Sequence, residues 1–516
     1  MASGRVIDGD EHDARLLAHE IVAKARGEAK QIHDDVKALA ANILADARAD
    51  ADRVTARAEA EAAKLRDDAR TLANQLVVGA RAGSSTDTHD AIASSASDMP
   101  AGTVEDVVGL VVRANVPGVA LGELVRIDRR GGAPLSAEVV GFHGEQALLL
   151  PLGELAGIAP ACEVWRTGEP LAIRCGDALL GRVLDGLGVP LDGGPPPSGE
   201  RWLVDRAAPS PLARPPITAP LPTGVRAIDT MLTLGRGQRI GLFAAAGVGK
   251  STLLGQIARG TTADAIVVCQ VGERGRELAE LLGDELAPAR AKTVVVSATS
   301  DAPPLVRLRA VHVATAIAEW FRERRGANVL LLVDSLTRVA RAQREVGLSV
   351  GEPPARHGYP PSVFALLPRL VERAGATTAG AITAIYTVLV AGNDLDEPIA
   401  DEVRGLVDGH IVLDRRLAQR AHFPPIDVVG SVSRLMSRVV DARHLAAAAA
   451  LRTRLAIYEE HRDLITLGAY QAGRDRQVDD AVAAYPAIER LVRQKRDEPA
   501  DWDGAVSQLI QLAGTR

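Results

Sequence analysis

The fold of this chain is decided by residues 240–254, which read IGLFAAAGVGKSTLL. An apolar run enters a glycine-rich turn, a Lys-Ser-Thr triplet follows, and an apolar helical pattern leaves it. This order predicts a buried strand, a phosphate-binding loop and a helix. Gly247 and Gly249 allow the backbone to point successive N–H groups at phosphate oxygens, and the helix adds the positive end of its dipole. The segment therefore predicts a nucleoside-triphosphate site, although Ala244 replaces the first glycine of the usual pattern.

The polar residues of this segment have separate predicted roles. Lys250 supplies a mobile positive charge for the β- and γ-phosphates, and the hydroxyl of Ser251 can ligate Mg²⁺. The predicted nucleotide contacts are Ala246, Gly247, Val248, Gly249, Lys250, Ser251 and Thr252.

The composition limits the possible functions. A chain of 516 residues is too long for one hydrophobic core and predicts about three or four domains. The formal net charge of −6 and the few aromatic residues argue against a dedicated nucleic-acid binder. The widely spaced Cys162, Cys175 and Cys269 predict reduced thiols rather than a disulfide framework. No apolar run is long enough to cross a bilayer, so we expect a cytosolic protein whose membrane role comes through partners.

The front of the chain carries a repeat of eleven residues. Large apolar residues recur at this spacing, at Ile21, Ile32, Ile43, Val54, Leu65 and Leu76. Eleven residues over three turns give about 3.67 residues per turn, which favours a straight or slightly right-handed coiled coil. A solvated single helix is the alternative, because Ala, Arg and Glu favour helix without a partner. We expect a long, stalk-like coiled-coil helix over 11–82 and a flexible linker over 83–103.

The rest of the chain divides by its hydrophobic pattern. Short apolar runs that alternate with Gly, Pro and Asp predict a small all-β barrel over 104–195, with the run 179–184 as one of its strands. A proline-rich connector follows over 196–222. Alternating strand and helix patterns over 223–435 predict a RecA-like α/β core with helices on both faces of a parallel sheet. Alanine-rich segments over 436–516 predict an α-helical C-terminal domain.

Two carboxylates follow apolar strand patterns of the same predicted sheet. Asp334 ends the run 329–334 and is predicted to hold the water shell of Mg²⁺, the alternative being a helix-capping aspartate. Glu273 follows the run 267–271 and can polarise the water that attacks the γ-phosphate. Taken alone, Glu273 would more often be a surface charge that pairs with an arginine.

These motifs resemble the rotary ATPase superfamily. The stretches that carry the resemblance are 241–252, 271–277 (VGERGRE) and 331–338 (LLVDSLTR). The stretches that narrow it are 358–373, which begins GYPPSV, 397–404 (EPIADEVR) with 408–413, and 463–470 (DLITLGAY). Together they resemble the ATPase of type III protein export, shared by flagella and injectisomes, over residues 104–516.

The resemblance implies roles for residues on the phosphate side of the site. Lys250 and Ser251 would hold the phosphates of ATP and Mg²⁺, with Thr252 near the α-phosphate. Glu273 would be the base that activates water. The arginines that would support the γ-phosphate side of the pocket are Arg274 and Arg338.

The resemblance also implies an adenine pocket and a residue that acts on a neighbouring subunit. Phe423 would stack on adenine, with Tyr470 as a second wall. Arg434 would be the arginine finger that reaches into the neighbouring site. Any one of these side chains could instead serve ordinary packing or be a solvated charge. In the rotary synthase the catalytic glutamate and the finger arginine belong to different chains, whereas Glu273 and Arg434 stand in one chain, which predicts a homohexamer with sites at subunit interfaces.

The implied function is ATP hydrolysis that energises substrate unfolding or chaperone release and protein export. The implied partners are further copies of the chain, stalk or regulator proteins, central-stalk proteins, exported substrates and their chaperones, and no nucleic acid. The implied location is cytoplasmic, at the inner face of the cytoplasmic membrane through those partners. The front helix resembles the start of the peripheral-stalk regulator, which is a separate protein in the family. Its fusion leaves open whether a separate regulator still binds, and the sequence leaves open whether the exporter is flagellar or an injectisome.

Three other functions are weighed against this one. A catalytic subunit of a rotary ATP synthase is disfavoured because Glu273 and Arg434 stand in one chain. A hexameric RNA translocase on a RecA-like core would need a basic, aromatic front domain, whereas this one is glycine-rich. A structural subunit that binds ATP without hydrolysing it is disfavoured by the presence of Lys250, Asp334 and Glu273.

Overall fold

The computed structural model describes residues 101–390 and 395–514, together with the isolated Gln31. By its internal contacts the chain divides into two units, Met1–Asp87 and Thr88–Arg516. The coiled-coil helix predicted over 11–82 lies outside the described residues apart from Gln31, as does the linker predicted over 83–103 up to residue 100. The first described strand begins at Gly102, inside the predicted linker.

A closed antiparallel barrel opens the described part of the chain. Its strands are β1 (Gly102–Val108), β2 (Val111–Asn115), β3 (Glu123–Ile127), β4 (Leu135–His143), β5 (Gln146–Pro151) and β6 (Glu163–Pro170). They follow the order β1-β2-β5-β4-β3-β6, and β6 pairs with β1 to close the ring. Val112, Ile127, Val139 and Leu149 are buried in its interior. Closure leaves no free strand edge, which confirms the predicted small barrel.

The barrel ends earlier than the sequence predicts. β7 (Ala172–Cys175) pairs with β9 (Glu200–Leu203) in a separate two-stranded sheet. β8 (Val183–Asp185) pairs in parallel with β12 (Thr293–Ala298) and so belongs to the α/β sheet. The assignment of the run 179–184 to the barrel is therefore wrong. A short apolar run fits a barrel strand and a strand of a buried parallel sheet equally well, so its periodicity alone could not decide.

The central sheet has the order β17-β16-β10-β15-β13-β11-β12-β8. Its remaining strands are β10 (Arg239–Ala244), β11 (Ala265–Val271), β13 (Asn328–Asp334), β15 (Ala381–Leu389), β16 (Gly409–Leu413) and β17 (Ile426–Ser433), with β14 (Gly375–Ala376) paired off this path. The strands from β16 to β8 run parallel, and β17 is antiparallel to β16. β11 is buried at every position, as a parallel strand covered on both faces requires.

Helices cover both faces of this sheet, as predicted. Alternate residues of β13 enter different cores: Leu331 and Val333 enter one core and Leu330 and Leu332 the other. The α-helices of this region are Arg226–Met231, Lys250–Gly260, Gly275–Glu280, Pro304–Arg325, Leu336–Ser349, Pro361–Arg373, Pro398–Leu406 and Arg415–Gln419. Its other helical turns are 3₁₀ at Asp177–Leu179, Pro211–Ala213, Ala287–Lys292 and Arg356–Gly358, and π-helical at Leu281–Glu285.

A helical domain ends the chain and confirms the third part of the predicted fold. Its helices are Met436–Val439, Ala442–Thr466, Arg476–Val492 and Trp502–Gly514. The side chain of Asp475 caps the third of them by accepting from the N–H groups of Gln477 and Val478. Across the described residues, none of the helices has the length and apolar character that a membrane span needs.

Candidate active site

The phosphate-binding loop joins β10 to the helix Lys250–Gly260. Gly247 has a φ of +78° and Gly249 a φ of +93°. A Cβ at either position would meet no atom within 4 Å. Glycine is therefore required by the left-handed backbone rather than by crowding. Val248 is buried and packs in the hydrophobic core, whereas Gly247 is exposed. The loop is therefore held by one apolar side chain and is open to solvent at its turn.

Three side chains from different elements meet at the carboxyl ends of the strands. Lys250 Nζ contacts Oδ1 of Asp334, the last residue of β13. The hydroxyl of Thr387, from the neighbouring β15, donates to the same oxygen at 2.8 Å. Asp334 and Ser251 line one small cavity. A buried carboxylate beside a hydroxyl is a set of hard oxygen ligands that suits Mg²⁺, which takes its remaining ligands from phosphate and water.

Glu273 lies against this cluster, two residues after the end of β11. Gly272 has a φ of +67°, and a Cβ there would come within 3.1 Å of the Arg338 side chain. Arg338 Nη2 donates to Oε2 of Glu273 at 2.8 Å, and its Nη1 donates to the carbonyl of Gly272 at 2.6 Å. Lys250 Nζ stands 3.7 Å from Oε1 of Glu273. The structure thus brings together four of the predicted polar groups: Lys250, Glu273, Asp334 and Arg338.

The charges around Glu273 tune its proton affinity. Burial raises the pKa of the Glu273 carboxyl above its ordinary value, and the negative charge of Asp334 adds to the rise. The positive charges of Lys250 and Arg338 act in the opposite direction without cancelling it. A carboxylate with a raised pKa is a stronger base, which suits a group that takes a proton from water.

The other two predicted arginines are exposed. Arg274 precedes the helix Gly275–Glu280, and its carbonyl accepts from the N–H of Glu277 at 2.9 Å. Arg434 follows the last residue of β17, and its N–H donates to the carbonyl of Asp408 at 3.1 Å. Among the described residues, neither guanidinium has a hydrogen-bond or ion-pair partner.

Arg434 and Glu273 lie far apart within one chain. In the sheet order, β17 and β11 are separated by five inter-strand steps, roughly 24 Å at about 4.8 Å a step. They also lie at opposite strand ends, one on the amino side and the other on the carboxyl side of the parallel strands. Ser433 pairs with Gly409 at the start of β16, whereas Glu273 follows the carboxyl end of β11. Arg434 therefore cannot reach the Glu273 of its own chain.

A cavity of about 670 Å³ opens beside the phosphate-binding loop. Thr252 and Gln256 line it from the helix that follows the loop, and Phe423 and Pro424 line it from the segment before β17. The third side is formed by residues of 490–498 from the helical domain. Phe423 is 48% exposed, so its ring is free to stack against a planar ligand.

Tyr470 does not belong to this cavity. Its hydroxyl donates to Oδ1 of Asp479 at 2.8 Å and stands 3.0 Å from the carbonyl oxygen of Asp475. It therefore ties the loop after the helix Ala442–Thr466 to the start of the helix Arg476–Val492. The opposite end of the latter helix is the one that reaches Phe423. Tyr470, the predicted second adenine wall, is therefore not among the residues that line this cavity, whereas residues of the segment 493–498 are.

Gln494, a residue without a predicted role, holds this segment in place. The N–H of Gln494 donates to the carbonyl of Phe423 at 2.9 Å, and its Nε2 donates to the carbonyl of Gly224 at 2.8 Å. Its Oε1 accepts from the N–H of Arg226 at 2.9 Å. Gln494 is 4% exposed. No motif marks this residue, because its partners lie about 70 and 270 positions away in the sequence.

Family models match three consecutive parts of the chain. The nucleotide-binding domain of the ATP synthase alpha/beta family matches residues 224–433, and the beta-barrel domain of that family matches residues 104–168. The model described as the T3SS EscN ATPase C-terminal domain matches residues 440–511.

Individual relatives agree with these matches. The chain is 48% identical over 429 residues to a flagellum-specific ATP synthase of Bacillus subtilis, covering 82% of this chain and 98% of the relative. It is 49% identical over 414 residues to a type 3 secretion system ATPase of Xanthomonas euvesicatoria, covering 80% and 93%. The solved structure of the assembled ATPase EscN from enteropathogenic E. coli matches with a TM-score of 0.76 and 42% identity, covering 80% of this chain and 100% of that one. The chain therefore belongs to the family of ATP-hydrolysing enzymes of flagellar and type III protein export.

Proposed function

We propose that this chain hydrolyses Mg²⁺-bound ATP at sites formed between its own copies in a homohexameric ring. The observation that carries this proposal is the separation of Arg434 and Glu273. Both groups are present in one chain, yet they lie at opposite strand ends of the sheet and five inter-strand steps apart. A head-to-tail ring resolves this, because each subunit offers Arg434 to the next subunit's Glu273. Every site of such a ring is complete with one kind of chain.

The contacts of the site support a division of labour. The loop N–H groups and Lys250 bind the phosphates, and Lys250 exchanges its present contact with Asp334 for phosphate oxygens. Glu273 accepts a proton from the attacking water, while Arg338 fixes its orientation. Arg434 of the preceding subunit stabilises the charge on the transferred phosphoryl group. Ser251 and Asp334 would hold Mg²⁺, which would supply positive charge beside the β- and γ-phosphates.

The partners follow from the relatives. EscN has been solved in complex with its central stalk EscO, and we propose an equivalent stalk protein within the ring of this chain. Exported substrates, their chaperones and stalk regulators are the remaining partners, and the energy of hydrolysis unfolds substrates or releases chaperones. Through these partners the ring works in the cytoplasm, at the inner face of the cytoplasmic membrane. A relative named a type 3 secretion system ATPase, and the solved ATPase EscN of a type III secretion system, favour this function over an RNA translocase or a synthase subunit.

Mixing two inactive variants tests the intersubunit site. Glu273→Gln removes the base and Arg434→Ala removes the finger, so rings of either variant alone are expected to lose nearly all turnover. In a one-to-one mixture, an interface is complete when a Glu273→Gln subunit provides Arg434 and the neighbouring Arg434→Ala subunit provides Glu273. Random pairing makes up to about a quarter of interfaces complete. Phosphate release by the mixture is therefore expected to exceed that of both pure variants.

The controls separate assembly from chemistry. Both variants should bind a fluorescent ATP analogue as the unaltered chain does, since neither substitution removes the loop or Phe423. A one-to-one mixture of unaltered chain with a double variant that carries both substitutions also leaves about a quarter of the interfaces complete, so it gives the turnover expected from full complementation. A mixture with no more activity than its components would contradict the proposal, and so would full turnover by Arg434→Ala alone.

A further inference from the structure

Gln256 is placed to contact whatever enters the cavity beside the phosphate-binding loop. It lies four positions after Thr252 on the helix Lys250–Gly260, so the two side chains share a helix face. Both line the cavity of about 670 Å³ that Phe423 borders on another side. The phosphate-binding end of this cavity is fixed at Gly249 and Thr252. Gln256 therefore stands one helical turn further from the phosphates, on the side where the rest of a nucleotide extends.

Among the residues that the structure describes, the side-chain amide of Gln256 has no hydrogen-bond partner. Gln256 is 6% exposed, and its Nε2 is buried without a hydrogen bond. No other described residue donates to or accepts from this side chain. Buried polar groups in folded proteins are nearly always hydrogen-bonded, so an unpaired amide in a cavity wall points to a ligand that completes it.

The other amide of the cavity wall is fully used. Gln494 donates from Nε2 to Gly224 and to Glu498, and its Oε1 accepts from Arg226. Apart from Thr252, the remaining polar side chains that line the cavity carry charges, on Arg490, Arg493, Lys495, Arg496 and Glu498. A charged side chain attracts or repels a ligand, but it does not present a hydrogen-bond donor and an acceptor side by side. Of the described lining residues, Gln256 alone offers a free amide.

The chemistry of an amide suits the edge of adenine. A glutamine side chain places an acceptor beside a donor, and adenine places its N6 amino donor beside a ring-nitrogen acceptor. Guanine carries the O6 acceptor at that position, so its N7 edge presents two acceptors and leaves one unmatched. With the purine ring stacked on Phe423, we propose that Gln256 is a specificity-determining residue that hydrogen-bonds the adenine edge and favours ATP over GTP. This role rests on the proposed function, because it requires that the cavity holds the base of the hydrolysed nucleotide.

A cycle that changes both the residue and the ligand tests this contact. Gln256→Met keeps the length of the side chain and removes the amide. Purine riboside triphosphate keeps the ring and the phosphates of ATP and lacks the N6 amino group. Affinities are measured by displacement of a fluorescent ATP analogue from the full chain. The unaltered chain is expected to bind the analogue about tenfold more weakly than ATP, whereas Gln256→Met should bind the two alike. In Gln256→Met, the ratio of the affinity for ATP to the affinity for GTP should fall by a similar factor.

The controls keep this inference apart from the proposed function. Gln477→Met changes an exposed glutamine outside the cavity and should leave the ratio of affinities unchanged. Lys250→Ala should weaken ATP and the purine analogue equally. Equal binding of both ligands by the unaltered chain would overturn the role of Gln256, and so would a tenfold ratio that persists in Gln256→Met. Binding of ATP that is indifferent to Lys250→Ala would overturn the proposed nucleotide site itself.

Discussion

Arg338 holds Glu273 by two points at once. Its guanidinium donates to the carboxylate of Glu273 at 2.8 Å and to the carbonyl of Gly272 at 2.6 Å. Because one rigid fork binds both a side chain and the backbone beside it, the carboxylate cannot turn independently of the strand end. Arg338 therefore fixes the direction of the Glu273 carboxylate, while its positive charge opposes the rise in pKa that burial causes.

Glu273→Gln is expected to lower kcat by about 10²–10⁴-fold, the usual contribution of a positioned general base. The substitution keeps the shape of the side chain and the hydrogen bond from Arg338 in part, so binding of nucleotide should change little. Steady-state phosphate release and the affinity for a fluorescent ATP analogue check the two halves of this prediction. Glu280→Gln, which changes an exposed partner of Arg276, serves as the matched control. A loss of binding equal to the loss of turnover would contradict the assignment.

Arg338→Gln is expected to move the acid limb of the kcat profile to higher pH. Burial raises the pKa of Glu273, and the charge of Arg338 opposes that rise. Removing this charge raises the pKa further, so Glu273 stays protonated up to a higher pH. A protonated base cannot accept a proton from water, and turnover therefore falls earlier as the pH is lowered.

The measurement is kcat as a function of pH for both forms. Arg341→Gln, an exposed position on the same helix, should leave the acid limb where it is. An acid limb that stays in place in Arg338→Gln, or that moves to lower pH, would show that Glu273 is not the titrating base.

The parts of this site that could be predicted from sequence are those that follow strand ends. Asp334 ends one largely apolar run and Glu273 lies two residues after another. Parallel strands place their carboxyl ends on the same side of the sheet, beside the loop at Lys250. Such proximity is a consequence of topology. Gln494 and Gln256 escaped prediction because their significance depends on which distant atoms they meet, or fail to meet, in the folded chain. The position of Tyr470 relative to the cavity could not be predicted either, because a sequence motif does not say which end of a helix an aromatic residue faces.

Phe423→Ala is expected to raise KM for ATP by about tenfold or more, since stacking of a base on an aromatic ring contributes roughly 1–3 kcal/mol. The effect on kcat should be small, because the phosphates stay bound by the loop. Tyr470→Ala is the matched control, because it removes an aromatic ring that lies outside the lining of the cavity and should leave KM unchanged. Measured KM values for the two variants decide which aromatic ring stacks on the base, and an effect of Tyr470→Ala equal to that of Phe423→Ala would show that Tyr470 also contacts the nucleotide.

Glu319→Gln is expected to destabilise the nucleotide-binding domain by about 3–5 kcal/mol, because it leaves a buried cation without its partner. Glu319 and Arg373 are 1% and 3% exposed and form two hydrogen bonds of 2.8 Å each. Arg206 stands 3.7 Å from the same carboxylate, so two cations lose one anion.

The exposed pair of Arg276 and Glu280 is the control, and Glu280→Gln should change stability by no more than about 0.5 kcal/mol. Urea unfolding midpoints of the full chain measure both variants. Replacing Glu319 with leucine and Arg373 with methionine together should recover most of the loss, since an apolar pair of similar volume removes the unpaired charge as well. Equal midpoints for Glu319→Gln and Glu280→Gln would mean that water reaches Arg373 in solution.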